Sequence, residues 1–239
     1  MNKGNTMTKI TKEFIAAALE LADIGQSKLT EREREIFGLS SVRLKAFLNN
    51  ICSKPDTKYL ELGVYKGSTI ISAVFGNPTC KAMGVENFKY DEREPKKLAP
   101  EGTIWTNMKS QLEDNISRYV SSEKIKADAI TIIESDFRDL ELEKSQKFDV
   151  CLFDVSPSTA EMYDDFFTKI YPHMALESVV IFMNYSNETT ARMIQAAVEK
   201  YSDKFTITAS ESRISSGLSD ATKYYSGILV LGTKKKITK

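Results

Sequence analysis

The sequence predicts an α/β fold: a doubly wound, mostly parallel seven-stranded sheet with an antiparallel edge hairpin and an N-terminal helical extension. Short apolar segments alternate with helical patterns from residue 58 onward, and this alternation favours parallel strands covered by helices on both faces. The residues before them carry only helical periodicity. We therefore expect residues 1–53 to form a helical extension packed on a core domain of residues 54–239.

Three helices are predicted in the extension. Apolar residues at helical spacing predict the first over 10–24, and Gly25 supplies its stop signal. Thr30 and Glu33 match a capping box, which predicts a second helix after Thr30. The third is expected over 41–52, where apolar residues again follow the helical period.

Seven extended segments and four helices are predicted in the core domain. The strands are expected over 58–62, 81–85, 129–133, 148–153, 178–183, 204–209 and 224–231. The helices are expected over 68–75, 103–119, 159–171 and 188–201. No helix separates the last two strands, so they are predicted to form the antiparallel hairpin. The charged stretch after residue 87 is interpreted as a long entry loop to a crossover helix, with a lid or substrate wall as the alternative.

Composition narrows the functional classes. The 33 basic and 33 acidic residues cancel, so no global field would concentrate nucleic acid around the protein. The one dense basic run, Lys234–Lys236, is interpreted as a solvated tail, with a local basic patch as the alternative. We expect a small-molecule substrate and no nucleic-acid partner.

The cysteines and the hydropathy pattern predict the compartment. Three cysteines without metal-ligand spacing are typical of buried thiols in a reducing environment. No N-terminal apolar stretch resembles a signal peptide, and no run approaches the roughly 20 apolar residues that span a membrane. We therefore expect a cytoplasmic protein with no membrane partner. The apolar faces of the extension leave a homodimer open.

The most informative motif is YLELGVYKGST over residues 59–69, where the first strand gives way to a helix. Open parallel sheets bind ligands at this position. Gly63 permits a sharp turn, and Gly67 lets the backbone approach a ligand closely. The Gly-x-x-x-Gly spacing differs from the Gly-x-Gly-x-x-Gly pattern of dinucleotide sites, so the turn is not lined for a pyrophosphate.

Acidic residues end four successive strands: Glu61, Glu86, Asp136 and Asp154. The Glu86 carboxylate could accept hydrogen bonds from both hydroxyls of a ribose. Asp136 could accept from an adenine amino group, with Phe137 packing on the ring. One such acid alone could be a helix cap or a solvated strand end, but four in order indicate a ligand-binding edge.

These motifs resemble the class I S-adenosylmethionine-dependent methyltransferases, and among them the branch related to macrolide-sugar O-methyltransferases and cephalosporin-hydroxylase-like proteins. The resemblance covers about residues 38–232 and is carried by residues 39–43, 47–52, 59–69, 85–88, 148–154 and 227–231. It implies a Rossmann-like fold, S-adenosylmethionine as cofactor and O-methylation of a small or sugar-like acceptor.

The resemblance also implies a set of cofactor-binding residues. Those expected around the methionine part are Glu61, Gly63, Tyr65, Gly67 and Ser68. Glu86 is expected at the ribose and Asp136 with Phe137 at the adenine; Thr69, Asn87 and Asp154 complete the set. S-adenosylmethionine carries a sulfonium and an ammonium but no phosphate, so a pocket edged with carboxylates suits it.

The sequence departs from the metal-dependent relatives. These carry Asp-Gly-x-His after the fourth strand and an Asp-Asp pair after the fifth, whereas this chain has Asp154-Val155-Ser156-Pro157 and Asn184-Tyr185-Ser186-Asn187. One carboxylate and a neutral amide would hold a divalent cation weakly, so no bound metal is predicted. The base candidates are Asp154, Tyr163 and Glu188, and Asp154 is the predicted catalytic residue.

Two other functions compete with a methyltransferase. A cofactor-binding protein without catalysis, acting by regulation or interaction, would explain the missing metal ligands. A nicotinamide-dependent oxidoreductase would need a glycine triplet at the first turn and a catalytic Tyr-x-x-x-Lys, and neither is credibly placed in this sequence.

Overall fold

A computed structural model describes residues 10–89, 107–156, 158–214, 224 and 226–236. The described part of the extension holds three helices: α1 (Lys12–Asp23), α2 (Glu31–Arg34) and α3 (Val42–Ile51). Side-chain caps begin α1 and α3, where Thr11 and Ser41 accept the amides of Phe14 and Leu44. Thr30 and Glu33 form the predicted capping box of α2.

The core domain alternates strands and helices. The strands are β1 (Lys58–Leu62), β2 (Lys81–Glu86), β3 (Ile130–Glu134), β4 (Phe148–Phe153), β5 (Met174–Met183), β6 (Phe205–Arg213) and β7 (Ile228–Lys235). The helices are α4 (Ser68–Val74), α5 (Met108–Ser121), α6 (Ala160–Asp165) and α7 (Glu188–Lys200). The charged stretch after Lys89 and the start of the predicted helix at 103–106 lie outside the described residues.

The seven strands form one sheet in the order β3-β2-β1-β4-β5-β7-β6. Strands β1 to β5 pair in parallel, and β7 pairs antiparallel with both β5 and β6. The predicted fold class is therefore confirmed, including the antiparallel hairpin. β1 and β4 lie beside each other although they are distant in sequence, and this reversal of strand order creates the crevice where such sheets bind ligands.

Two cores cover the two faces of the sheet. Consecutive side chains of a strand point to opposite faces, and β1 accordingly sends Tyr59 to one core and Leu60 to the other. The first core includes residues of α1, α3, α4 and α5, and the second includes residues of α6 and α7. The helices of the extension thus share one core with the sheet.

Several element boundaries differ from the predictions. β5 begins at Met174 rather than at residue 178, because Phe148 pairs with Met174 before a register shift. The predicted helix over 159–171 is α-helical only to Asp165; π-helical and 3-10 turns continue it through His173. The connection from β3 to β4, which is described throughout, contains a 3-10 turn at Phe137–Asp139 and no α-helix.

The basic run near the C-terminus is not a solvated tail over its first two residues. Lys234 and Lys235 belong to β7, because the strand continues to Lys235. Lys234 pairs with Glu177, and the Nζ of Lys235 donates to the carbonyl oxygens of Pro172 and Met174. Over the described residues, no helix is both long and apolar enough to cross a bilayer.

Candidate functional site

The ends of β1, β2 and β4 meet at one edge of the sheet. Leu62 lies opposite Val85 on one side and Phe153 on the other. The amide of Gly63 donates to the Val85 carbonyl at 2.9 Å, and the amide of Asp154 donates to the Leu62 carbonyl at 2.9 Å. The register therefore brings the residues that follow these three strands side by side.

Gly63 makes the sharp turn that the sequence predicts. Its φ is +88°, a backbone conformation that favours glycine. A Cβ at this position would lie 2.1 Å from the carbonyl oxygen of Asp154. The absence of a side chain is what lets the two chain segments approach each other.

Glu86 ties the end of β2 to the turn after β1. Its Oε2 accepts the amides of Val64 and Tyr65 at 3.0 and 2.9 Å, and its Oε1 accepts the amide of Phe88 at 3.2 Å. Each carboxylate oxygen offers two acceptor directions, so Oε1 keeps one for a further donor. Tyr65 has a φ of +54° in this turn.

Glu61 lies beneath the turn and is fully buried. The hydroxyl of Tyr59 donates to its Oε2 at 2.6 Å, and the hydroxyl of Thr69 donates to its Oε1. Burial raises the pKa of Glu61 to about 8, and the negative charges of Asp154 and Glu86 contribute to the increase. Thr69 and Glu61, both predicted at the cofactor, thus contact each other.

Asp154 is part of the same carboxylate cluster. Burial and, to a smaller extent, the charge of Glu86 together raise its pKa to about 7. Among the described residues no lysine or arginine forms an ion pair with Glu61, Glu86 or Asp154. We call these three residues the acidic cluster. The raised pKa values of Glu61 and Asp154 mean that repulsion within the cluster is relieved in part by bound protons, since no described protein cation pairs with it.

Asp136 and Phe137 follow β3, and β3 joins the same edge because Glu86 lies opposite Glu134. The Asp136 carboxylate caps the 3-10 turn and pairs with Arg138, whose Nη2 lies 2.6 Å from Oδ2. This guanidinium holds the pKa of Asp136 below its usual value. Phe137 is buried, with its ring centroid 5.5 Å from that of Phe153.

The remaining predicted residues contact other parts of the chain. The Ser68 hydroxyl lies 2.8 Å from that of Ser40, which links α4 to the extension. Gly67 has a φ of +85°, and a Cβ there would lie 2.5 Å from the side chain of Leu112. The Asn87 side chain accepts the amide of Lys89 at 2.9 Å.

The other two base candidates lie in different surroundings. The Tyr163 side chain is buried, and its ring centroid lies 5.2 Å from that of Phe153. Glu188 is an exposed residue in the first turn of α7 and pairs with Arg192. No group of three or more metal-ligating side chains occurs in the described ranges.

Sequence reasoning missed three contacts of the motif. Tyr59 was not predicted as a partner of Glu61, although strand residues two apart point to the same face. Arg138 was not predicted as a partner of Asp136. Lys66 was not predicted to point away from the acidic cluster: its ammonium lies 4.8 Å from the ring centroid of Phe37 and 5.1 Å from that of Tyr65.

Comparison with known proteins identifies the fold. No protein-family model matches the chain, and no curated protein matches its sequence. A candidate RNA methyltransferase from Pyrococcus horikoshii superposes with a TM-score of 0.51 at 13% identity, over 97% of this chain and 100% of that one. A methyltransferase from Podospora anserina bound to S-adenosylhomocysteine gives a TM-score of 0.50 at 12% identity, over 97% and 91%. A candidate O-methyltransferase from Klebsiella pneumoniae gives 0.50 at 9% identity, over 92% and 90%. The chain therefore has the Rossmann-like fold of these proteins.

Proposed function

We propose that the protein is an S-adenosylmethionine-dependent methyltransferase whose cofactor lies over Gly63 and against the acidic cluster. The carrying observation is that Glu61, Glu86 and Asp154 meet where β1, β2 and β4 end side by side, with no paired cation among the described residues. Carboxylates that repel one another either take up protons or favour a bound cation, which replaces those protons. S-adenosylmethionine supplies two positive charges, on its sulfonium and its ammonium, and carries no phosphate.

The placement of the cofactor follows the order of the strand ends. Glu86 accepts one ribose hydroxyl on the acceptor direction left at its Oε1, because three backbone amides take the other directions. Asp136 lies one strand further out, at the proposed adenine position, whereas the ring of Phe137 is buried against Phe153 and has no open face there. To accept the adenine amino group, Asp136 must share its carboxylate with Arg138. The solved structure with bound S-adenosylhomocysteine supports a nucleoside ligand for this fold.

Asp154 is the proposed catalytic base. A bound S-adenosylmethionine supplies an electrophilic methyl group, so the protein mainly aligns the acceptor and excludes water. A hydroxyl acceptor must also lose its proton. With a pKa of about 7, Asp154 can accept that proton near neutral pH, which fits a general base better than an ordinary carboxylate does.

The proposed acceptor is a small or sugar-like molecule with a reactive hydroxyl. The resemblance of the sequence motifs to sugar O-methyltransferases and the fold shared with an O-methyltransferase support this class. The balance of 33 basic and 33 acidic residues is unfavourable to an extended phosphate backbone. Since another structural neighbour is an RNA methyltransferase candidate, RNA belongs in the acceptor panel as the competing class.

Titration calorimetry of the purified protein tests the proposal. We expect S-adenosylmethionine and S-adenosylhomocysteine to bind and NADH not to bind. Glu86→Gln should weaken both complexes about tenfold, because an amide replaces a charged acceptor. Glu188→Gln, which changes an exposed residue of α7 that pairs with Arg192, is the matched control. Absence of binding at millimolar concentration would refute the proposal.

The competing proposal is a cofactor-binding protein that transfers no methyl group. It is favoured because Tyr163 is buried and Glu188 is exposed in a pair with Arg192. Catalysis then depends on Asp154 alone as the base. Incubation with methyl-labelled cofactor and a panel of sugars, small alcohols and RNA separates the two proposals. Label in any acceptor supports the enzyme, and binding without transfer across the panel supports the inert protein.

A further inference from the structure

A cavity of about 380 Å³ lies on the flank of the molecule, apart from the acidic cluster. Its walls come from α2 and the segment that follows it, from the turn before α4, and from α5. None of Glu61, Glu86, Asp136 and Asp154 lines it. The cavity is large enough to hold a small metabolite.

Lys66, in the turn before α4, forms part of the cavity wall. Its side chain is 97% buried, since only 3% of its surface is exposed. The ammonium lies over the rings of Phe37 and Tyr65 and forms no ion pair with any described carboxylate. Burial lowers the pKa of this lysine. A buried cation without a counter-charge favours an anionic ligand.

Two further cations and several hydroxyl-binding groups line the same cavity. Arg32 and Arg118 also contribute to its wall, and neither forms an ion pair with a described carboxylate. Glu35 and Asp114 are carboxylates, so the lining keeps one net positive charge, and with Gln111 they can bind the hydroxyls of a ligand whose anionic group lies on the three cations. Phe37 is 55% exposed there and offers a ring face to an apolar surface of the ligand.

We propose that this cavity binds a small hydroxylated anion, with its phosphate or carboxylate on Lys66, Arg32 and Arg118 and its hydroxyls on the neighbouring polar groups. The two kinds of acid share the chemistry that these cations recognise. The Nδ2 of Asn115 donates to the carbonyl of Lys66 at 2.9 Å, so a ligand that orders α5 also stabilises the turn before α4. This anion site goes beyond the proposed methyl transfer and does not depend on it.

Nuclear magnetic resonance titration of the full chain, without cofactor and at constant ionic strength, tests this site. The probes are glucose 6-phosphate, gluconate and glucose, so that the first two distinguish a phosphate from a carboxylate and the third lacks the charge. We expect one or both anions to shift the backbone amide signals of Phe37, Lys66 and Asn115, and glucose to shift none. If neither anion binds at millimolar concentration, or if the shifts fall on Gly63 and Glu86 instead, the proposal is wrong.

Three variants sharpen the test. Lys66→Gln should weaken the anion about tenfold, because a charge-assisted hydrogen bond is lost. Arg118→Gln changes an exposed side chain on α5, so it keeps the fold and should also weaken binding. Lys126→Gln removes an exposed lysine that does not line the cavity and should leave the affinity unchanged. If all three variants bind the anion with the affinity of the wild type, the assignment is wrong. Because no cofactor is present in this titration, that result would not bear on the methyltransferase proposal.

Discussion

The turn between β1 and α4 separates two regions of opposite charge. On one side Glu61, Glu86 and Asp154 lie close together without a paired cation; on the other, Lys66 is buried without a paired carboxylate. An ion pair across the turn would neutralise both, but the rings of Phe37 and Tyr65 hold the ammonium on the far side. A charged group without a partner costs folding free energy, and such groups are typical of ligand sites. The edge of the sheet with the acidic cluster therefore suits a cationic ligand, and the cavity lined by Lys66 suits an anionic one.

The largest effect is expected from adding a side chain at Gly63, in the turn after β1. Gly63→Ala would place a Cβ 2.1 Å from the Asp154 carbonyl in a backbone with a φ of +88°. We expect a loss of about 3 kcal/mol in the free energy of unfolding and no measurable cofactor binding.

The control for that variant is Gly25→Ala. Gly25 has a similar φ of +74°, but a Cβ there meets nothing within 4 Å. This variant should lose only about 1 kcal/mol in the free energy of unfolding, the cost of a left-handed backbone for a residue with a Cβ, and should keep its affinity for the cofactor. Urea unfolding and calorimetry of both variants measure the two effects, and equal losses would show that the close approach to Asp154 is unimportant.

The next effect concerns the acidic cluster. Asp154→Asn removes a negative charge from the edge, so the affinity for S-adenosylmethionine should fall about tenfold. Asp149→Asn lies on the same strand, where the carboxylate accepts the amide of Lys58 at 2.8 Å. It should leave that affinity unchanged. If calorimetry finds the two variants alike, the charge of Asp154 does not contribute to binding.

Glu61→Gln sharpens the comparison through the pH dependence of stability. The folded-state pKa of about 8 exceeds the ordinary value of 4.5, so the folded protein retains a proton that the unfolded chain releases. The wild type therefore loses stability as the pH rises from about 5 through 8, and the glutamine variant lacks this loss. Between pH 5 and pH 9 the variant should gain roughly 3 kcal/mol relative to the wild type. Parallel stability curves would contradict a protonated Glu61.

The smallest effect is expected at Glu188, which is 79% exposed in its pair with Arg192. Exposed ion pairs contribute little to stability. Glu188→Gln should change the free energy of unfolding by less than about 0.5 kcal/mol and leave the methyl-transfer rate unaltered. A large loss of transfer rate would make Glu188 rather than Asp154 the base.

The sequence predicted the strands because their apolar runs and terminal acids are local signals. β1 and β4 match their predicted bounds, and the sheet has the predicted parallel region and hairpin. The start of β5 and both bounds of β7 differ from the predicted 178 and 224–231, because pairing with distant residues such as Phe148 and Glu177 determines where these strands begin and end.

The chemistry of the site was only partly accessible from the sequence. The acids at the strand ends could be named from their positions, but the direction of each side chain depends on tertiary contacts. Lys66 belongs to the predicted motif, and only the position of Phe37 shows that its ammonium lies away from Glu86 and Asp154. Likewise, the pairing of Asp136 with Arg138 depends on the 3-10 turn after β3.

Proton release on cofactor binding tests the central claim most directly. With a pKa of about 7, Asp154 is half protonated at pH 7, so a cation against it should expel about half a proton, and any proton displaced from Glu61, whose pKa is about 8, adds to this number. Calorimetry of S-adenosylmethionine binding in buffers of different ionisation enthalpy measures this number. We expect the wild type to release at least about half a proton and Asp154→Asn to release about half a proton less. Tight binding with no proton released by the wild type would contradict this expectation.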